Sequence, residues 1–169
     1  MDASKVFRLA AATGAALAAA FTGSAGAATT TGSLAVSATV LKACLITNGT
    51  LAFGNYDPTA LTANTTSTTV VLTCTPGSTY DIGMNAGAGS GATVTLRKMT
   101  SGSNTLGYEL FQDSGYGTNW GNTVGTDTLH GITSATLLAN TITVYGEIPV
   151  NEASATGVYT DTVTMTVTY

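Results

Sequence analysis

The chain has 169 residues, with 5 basic and 9 acidic side chains and a formal net charge of −4. Charged residues make up 8% of it. A chain this poor in lysine and arginine is not expected to bind nucleic acid, because that binding depends on neutralising phosphates. The alternation of Val, Leu, Ile and Tyr with polar residues predicts a folded core, although 20 glycines and low charge would also suit a disordered chain.

Residues 1–27 are predicted to be a signal peptide that is cleaved. Lys5 and Arg8 give a basic start, residues 9–21 form an uncharged Ala-rich run, and residues 25–27 have the small-x-small pattern of a cleavage site. A membrane anchor is the alternative, but the apolar run is too short to span a bilayer. We therefore expect an exported protein with no integral membrane segment after cleavage. The 142 residues that remain suit a single domain.

Residues 28–41 contain the first amphipathic segment. Its apolar side chains recur at every second position, which is the period of a β-strand. One face would carry Leu34, Val36, Ala38 and Val40, and the other Ser33, Ala35, Ser37 and Thr39.

The middle of the chain is a series of short apolar segments separated by clusters of Gly, Asn, Asp, Ser and Pro. Without helical periodicity, such a series predicts an antiparallel β-sandwich or barrel. Residues 112–131 are predicted to form a long loop around Tyr116 and Trp120, whose rings more often pack a loop onto the body than stack on a sugar. The predicted strand segments are Leu51–Phe53, Val70–Cys74, Tyr80–Met84, Val94–Leu96, Leu106–Phe111 and Thr141–Tyr145.

Cys44 and Cys74 are the two cysteines of the chain. We predict a disulfide between them, because an exported protein folds in an oxidising compartment. Two free buried thiols are the alternative. Without a CxxC pair or a His-rich tract, a metal or redox site is not expected.

The clearest strand pattern is at the end of the sequence, from Tyr159 to Tyr169. Every even position from 160 to 168 is threonine, whereas the odd positions are mostly apolar. The sequence stops there, so we expect an unpaired sheet edge whose partner comes from earlier in the chain or from another molecule. Val163, Met165, Val167 and Tyr169 are predicted to lie on the apolar face of this edge.

Residues for catalysis are sparse, so we predict that the protein is not an enzyme and holds no cofactor. His130 is the single histidine, and a catalytic triad would have to use it. The acidic residues are scattered, so no carboxylate pair or calcium loop can be chosen by spacing.

Several motifs in order resemble the spore coat protein U domain family, which includes subunits of archaic chaperone-usher pili. The resemblance covers essentially the whole segment after residue 27. The motifs are Ser37–Val40 before Cys44, Leu51–Pro58, Leu72–Thr75, Arg97 with Met99, Leu106–Asp113, Trp120–Gly121, Val144–Pro149 and Gly157–Val163.

The resemblance implies an immunoglobulin-like β-sandwich that lacks its last strand and is completed by a donor strand from another subunit. Residues 28–41 would be the donor strand and residues 42–169 the domain. The edge of the domain's acceptor groove would be formed by Val163, Met165, Val167 and Tyr169. The implied partners are a periplasmic chaperone, an outer-membrane usher, and copies of the same chain or sister subunits. The protein would pass through the periplasm to a surface fimbrium used for adhesion and biofilm formation.

Two other functions stay open on the sequence. One is a non-polymerising secreted spore-coat or cell-surface protein of the same fold, which would not need a free N-terminal strand. The other is an enzyme or sugar-binding module, which would need a pocket near Trp120. A two-domain tip adhesin is disfavoured because there is room for one domain.

Overall fold

The computed structural model describes residues 26–169, so all but the last two positions of the predicted signal peptide lie outside the described residues. Residues 39–169 form one compact unit. The preceding segment, described from Gly26, has exposed side chains and no helix or strand. The predicted donor strand at 28–41 has therefore formed no strand here, and its role stays a prediction. In the described range no helix is long and apolar enough to cross a membrane.

Within the described residues, eight strands build two antiparallel sheets that pack as an immunoglobulin-like sandwich, which confirms the predicted all-β class. The first sheet has the order β1-β2-β7-β5-β4, and the second has the order β6-β3-β8. The strands are β1 (Cys44–Ile46), β2 (Asn64–Cys74), β3 (Thr79–Met84), β4 (Arg97–Ser101), β5 (Asn104–Phe111), β6 (Leu129–Thr133), β7 (Asn140–Ile148) and β8 (Met165–Thr168).

The core lies between the two sheets and is formed by the residues that face inward at alternating positions along the strands. In β2, for example, Val70, Leu72 and Cys74 are buried while the residues between them are half-buried. β2 and β7 make the longest pairing, with nine registered residue pairs. The rest of the core comes from β5 and β7 of the same sheet, from β3 of the facing sheet and from the loop at Trp120, namely Leu106, Tyr108, Leu110, Val144, Ile148, Tyr80, Ile82, Met84 and Trp120.

The predicted disulfide is present. Cys44 and Cys74 are bonded and lie directly opposite each other in the antiparallel β1–β2 ladder, with their Cα atoms 4.1 Å apart. Thr75, the next residue, also holds the chain that leads into β1. Its hydroxyl donates to the carbonyl of Leu41 and accepts from the N–H of Ala43. The point where the N-terminal segment leaves the domain is therefore fixed covalently and by hydrogen bonds.

Arg97 and Trp120 hold the central loops against the core. Arg97 is fully buried, and burial lowers the pKa of its guanidinium. The Trp120 indole N–H donates to the Ile82 carbonyl at 2.8 Å. The Arg97 guanidinium donates to the backbone carbonyls of Met84, Asn85, Val94 and Trp120. One buried cation thus supplies hydrogen bonds to four backbone carbonyls from three separate segments of the chain.

Several predicted segment boundaries are wrong. Val94–Leu96 is a turn before β4, closed by the Thr93–Leu96 bridge. The predicted loop at 112–131 overlaps β6, so the exposed His130 lies in a strand and not in a loop. Leu51–Phe53 is extended chain that pairs with no strand in the described range. This last difference has a physical reason, because that segment borders a groove in which the described residues supply no neighbouring strand.

Candidate functional site

The sandwich is open along one side. There a cavity of about 430 Å³ lies between residues 49–53 and residues 159–165. A second cavity of about 650 Å³ continues it between residues 51–58 and residues 154–159. We call the two together the open groove, residues 49–58 the first wall and residues 154–167 the second wall. The residue numbers along the two walls run in opposite directions, so the walls are antiparallel.

The floor of the open groove is apolar core. Val70, Tyr108, Leu110 and Val144 come from the five-stranded sheet, and Met84 comes from the facing sheet. All five side chains are at least 95% buried from water, yet they line the cavity. The groove is therefore bordered directly by the interior of the domain, and a strand that entered it would pack against core side chains.

The first wall is held by close packing and not by strand pairing. Leu51 and Phe53 are half-buried and pack over Gly146, where a Cβ atom would lie 2.5 Å from Leu51 and 2.9 Å from Phe53. The Phe53 ring also meets Tyr108 edge to face, with centroids 5.9 Å apart. In the described structure, residues 48–54 make no backbone hydrogen bond to a neighbouring strand. Their N–H and C=O groups are available to a new strand.

The second wall shows the alternation expected from its sequence. The odd residues from Tyr159 to Val167 are half-buried, and the threonines between them are exposed. The backbone hydrogen bonds of the second wall alternate in the same way, since they are made by even-numbered residues. Thr160 exchanges two hydrogen bonds with Thr100, at 2.9 and 3.1 Å, and the Thr164 carbonyl accepts from Asn85. Because successive residues of a strand direct their peptide groups to opposite edges, the odd residues direct theirs toward the open groove.

Asp161 is the one charged residue in the lining of the first cavity. Its carboxylate accepts from the Tyr108 hydroxyl at 2.7 Å and from the Ala88 N–H at 2.7 Å. Burial, and then the hydrogen bond to this carboxylate, raise the pKa of Tyr108. Gly87, with φ at +82°, leaves no room for a side chain beside Asp161. The carboxylate therefore ties the second wall to the floor.

The predicted acceptor residues divide into two groups. Val163 and Met165 line the open groove. Val167 packs against the core opposite Ile82, and Tyr169 is 52% exposed and lies outside the groove lining. Sequence reasoning missed Leu51, Phe53 and Asp161. Asp161 falls on the apolar face of the two-residue period, and a charged residue at such a position is the signal that could have identified it.

The N-terminal segment presents the apolar residues that the sequence grouped on one face. Leu34 is 87% exposed, Val36 84% and Val40 81%, and Ala38 is exposed as well. Large aliphatic side chains exposed at every second position are typical of a surface that binds a partner.

Acidic residues elsewhere form no evident site. Glu109 and Glu147 are opposite each other in the β5–β7 ladder. Burial, and then the neighbouring carboxylate, raise the pKa of Glu109. Across residues 26–169, no group of three or more His, Cys, Asp or Glu side chains is placed to hold a metal ion.

Comparison with known proteins identifies the family. The Spore Coat Protein U domain family matches residues 30–166. The chain is 37% identical to "Protein U" of Myxococcus xanthus over 148 residues, which cover 78% of this chain and 80% of that protein. Among solved structures, it resembles a chain of the CsuC–CsuE complex, a chaperone with a tip adhesion subunit of archaic chaperone-usher Csu pili from Acinetobacter baumannii. That likeness has a TM-score of 0.53 at 22% identity and covers 78% of this chain but 41% of that one. The protein belongs to the Spore Coat Protein U domain family.

Proposed function

We propose that this protein is a structural subunit of an archaic chaperone-usher pilus, and that it polymerises by donor-strand exchange. The observation that carries the proposal is the open groove, which has an apolar floor and two walls with unused backbone groups. A single added strand would cover the floor and pair with both walls. No chemistry is required of such a site, only shape, apolar surface and hydrogen bonding.

The occupant in the fibre is the N-terminal segment of a second copy or of a sister subunit. Its exposed face of Leu34, Val36, Ala38 and Val40 has the two-residue period that a strand needs to fill a groove. Burying a Leu or Val side chain contributes about 1.5 to 3 kcal/mol. Several such side chains, together with a ladder of backbone hydrogen bonds, support a non-covalent link that dissociates slowly.

The remaining assignments belong to the same proposal. Residues 1–27 direct export, residues 28–41 are the donor strand, and residues 42–169 are the domain that receives a strand. A periplasmic chaperone lends a strand to the groove before assembly, and an outer-membrane usher exchanges it for the donor of the next subunit. The resulting surface fimbrium serves adhesion and biofilm formation. This proposal is supported by the family and by the fold shared with a subunit complex of Csu pili.

The test is a pair of substitutions at neighbouring positions of the donor. Val36→Asp would bury an unpaired carboxylate, at a cost of several kcal/mol. We expect it to abolish the ladder of subunit multimers on unheated SDS gels of sheared fibres. Ser37→Asp changes the outward face by the same charge and should leave the ladder intact. Val36→Asp protein should still be captured by the chaperone, because a subunit needs no donor of its own to receive a strand. Full ladders from Val36→Asp would refute the proposal.

A second candidate function is a non-polymerising coat or surface protein of the same fold. It is favoured by the 37% identity to Protein U and by the family to which both belong. It predicts a soluble monomer that unfolds cooperatively when expressed without a chaperone. A pilus subunit whose groove stays empty should instead aggregate or be degraded.

A further inference from the structure

We infer that the donor strand lies antiparallel to the second wall, with Ala38 opposite Asp161. This inference rests on the proposed function and specifies its register. Val40 is then opposite Tyr159, Val36 opposite Val163, and Leu34 opposite Met165. The outward residues Ser37 and Thr39 are opposite Thr162 and Thr160.

The backbone fixes which residues of the second wall can bond to the donor. Thr160 and Thr164 already use their peptide groups on the side of Thr100 and Asn85. The peptide groups that face the groove therefore belong to odd residues, and those residues also point their side chains inward. Directly opposite residues in an antiparallel pair share a face, so inward donor residues must pair with odd residues of the wall.

The lengths of the two apolar rows then limit the register. The donor has four inward residues, from Leu34 to Val40. The inward residues of the second wall that line the first cavity are also four, from Tyr159 to Met165. A slip of two residues in either direction leaves one donor side chain without a position in this cavity. Only the register given above uses all four.

Asp161 supports the same register independently. Its carboxylate is held by Tyr108 and Ala88 within an apolar lining. A bulky aliphatic side chain opposite it would remove water from the charge without offering a hydrogen bond. Ala38 is the smallest of the inward donor residues. A slip of two residues would place Val36 or Val40 there instead.

The orientation follows from the two walls. Because the walls are antiparallel, a strand between them is antiparallel to one and parallel to the other. The second wall continues into β8, whose sheet is antiparallel throughout. It offers a regular row of free groups, whereas the first wall contains Gly54 at a φ of +69°. Antiparallel pairing is also slightly more stable per residue, so it is assigned to the second wall.

Paired cysteines on the outward face test the register in the full-length subunit, expressed with its chaperone and usher. Ser37 and Thr162 would be a non-hydrogen-bonded pair, with Cα atoms about 4.5 Å apart, within reach of a disulfide. The domain's own Cys44–Cys74 bond joins two directly opposite residues in this way, at 4.1 Å. We expect Ser37→Cys with Thr162→Cys to give ladders that survive boiling without reductant and collapse with it.

The matched controls keep Ser37→Cys and move the second cysteine to Thr160 or Thr164, which are equally exposed. Boiling-resistant ladders from either control, stronger than those from Thr162→Cys, would overturn the register. The register is also wrong if ladders appear on unheated gels but no pair cross-links. If the unsubstituted subunit gives no ladder on unheated gels, the proposed function itself fails.

A second pair of variants needs no cysteine. Ala38→Leu would force an isobutyl group against the Asp161 carboxylate, whereas Val36→Leu enlarges a residue that faces Val163. We expect Ala38→Leu to shorten the unheated ladder and Val36→Leu to leave it unchanged. Equal ladders from the two variants would count against the Ala38–Asp161 pairing.

Discussion

Replacing Tyr108 by phenylalanine should loosen the second wall of the open groove. The substitution removes the hydroxyl that donates to Asp161 at 2.7 Å and leaves the edge-to-face contact with Phe53 in place. A hydrogen bond to a charged group contributes about 1.5 to 3 kcal/mol. The carboxylate keeps its bonds to the backbone N–H groups of Ala88 and Thr162, so we expect a loss near the lower end of that range.

The measurement requires a groove that is filled. A chain that lacks residues 1–41 and carries residues 28–41 behind Tyr169 on a flexible linker of about 15 residues allows either orientation of the added strand. In this filled protein, Tyr108→Phe should lower the free energy of unfolding in urea by about 1.5 kcal/mol. The melting temperature should fall by roughly 5 °C for a domain of this size.

Tyr145→Phe is the matched control. Tyr145 stacks edge to face on Tyr116 at 6.3 Å, and its hydroxyl bonds to no described residue. Its loss should change stability by less than about 0.5 kcal/mol. If Tyr108→Phe is as mild as Tyr145→Phe, the carboxylate does not hold the wall and this reasoning is refuted.

Three further outcomes are expected, the first and third for the filled protein and the second for the full-length subunit. Reducing the Cys44–Cys74 bond should lower the free energy of unfolding by about 2 to 5 kcal/mol, measured in urea with and without reductant. Trypsin added to the full-length subunit in its chaperone complex should cut first after the exposed Lys42 and spare the buried Arg97, and early fragments ending at Arg97 would contradict this order. Glu109→Gln should stabilise by about 0.2 to 1 kcal/mol at pH 7, because it removes a like charge opposite Glu147. The folded state raises the pKa of Glu109 above its ordinary value of 4.5, so the charged carboxylate destabilises the folded state at neutral pH. This destabilisation is lost as pH falls through the raised pKa and is absent below 4.5. Glu109→Gln should therefore not increase the free energy of unfolding at acidic pH.

The features that sequence predicted well are those that a two-residue period or a single pairing determines. The threonines from 160 to 168 are exposed and the odd residues between them are half-buried, as the alternation requires. The cysteine pairing had one possible solution, and it is confirmed. Both inferences depend on local pattern or chemistry and not on which strands become neighbours.

The features that sequence missed depend on tertiary partners. The N-terminal half of β2, Asn64–Thr69, is polar throughout and becomes a strand because it pairs with β7. Arg97 opens β4 and is buried, although arginine is ordinarily a surface residue. Leu51–Phe53 has strand composition but forms no strand, because the described chain supplies no neighbour for it. In each case the deciding contact is distant in sequence or is not made by the described residues.

The position of the disulfide has a mechanical consequence for a fibre built in the proposed way. Tension between neighbouring subunits would enter each domain at Leu41, three positions before the start of β1, a strand of three residues. Such a short strand would peel from its neighbour under modest load. The Cys44–Cys74 bond instead passes the load to β2, which is joined to β7 by nine residue pairs along its length. Those pairs would have to break together in shear, so a pulled fibre should fail by release of a donor strand before its domains unravel.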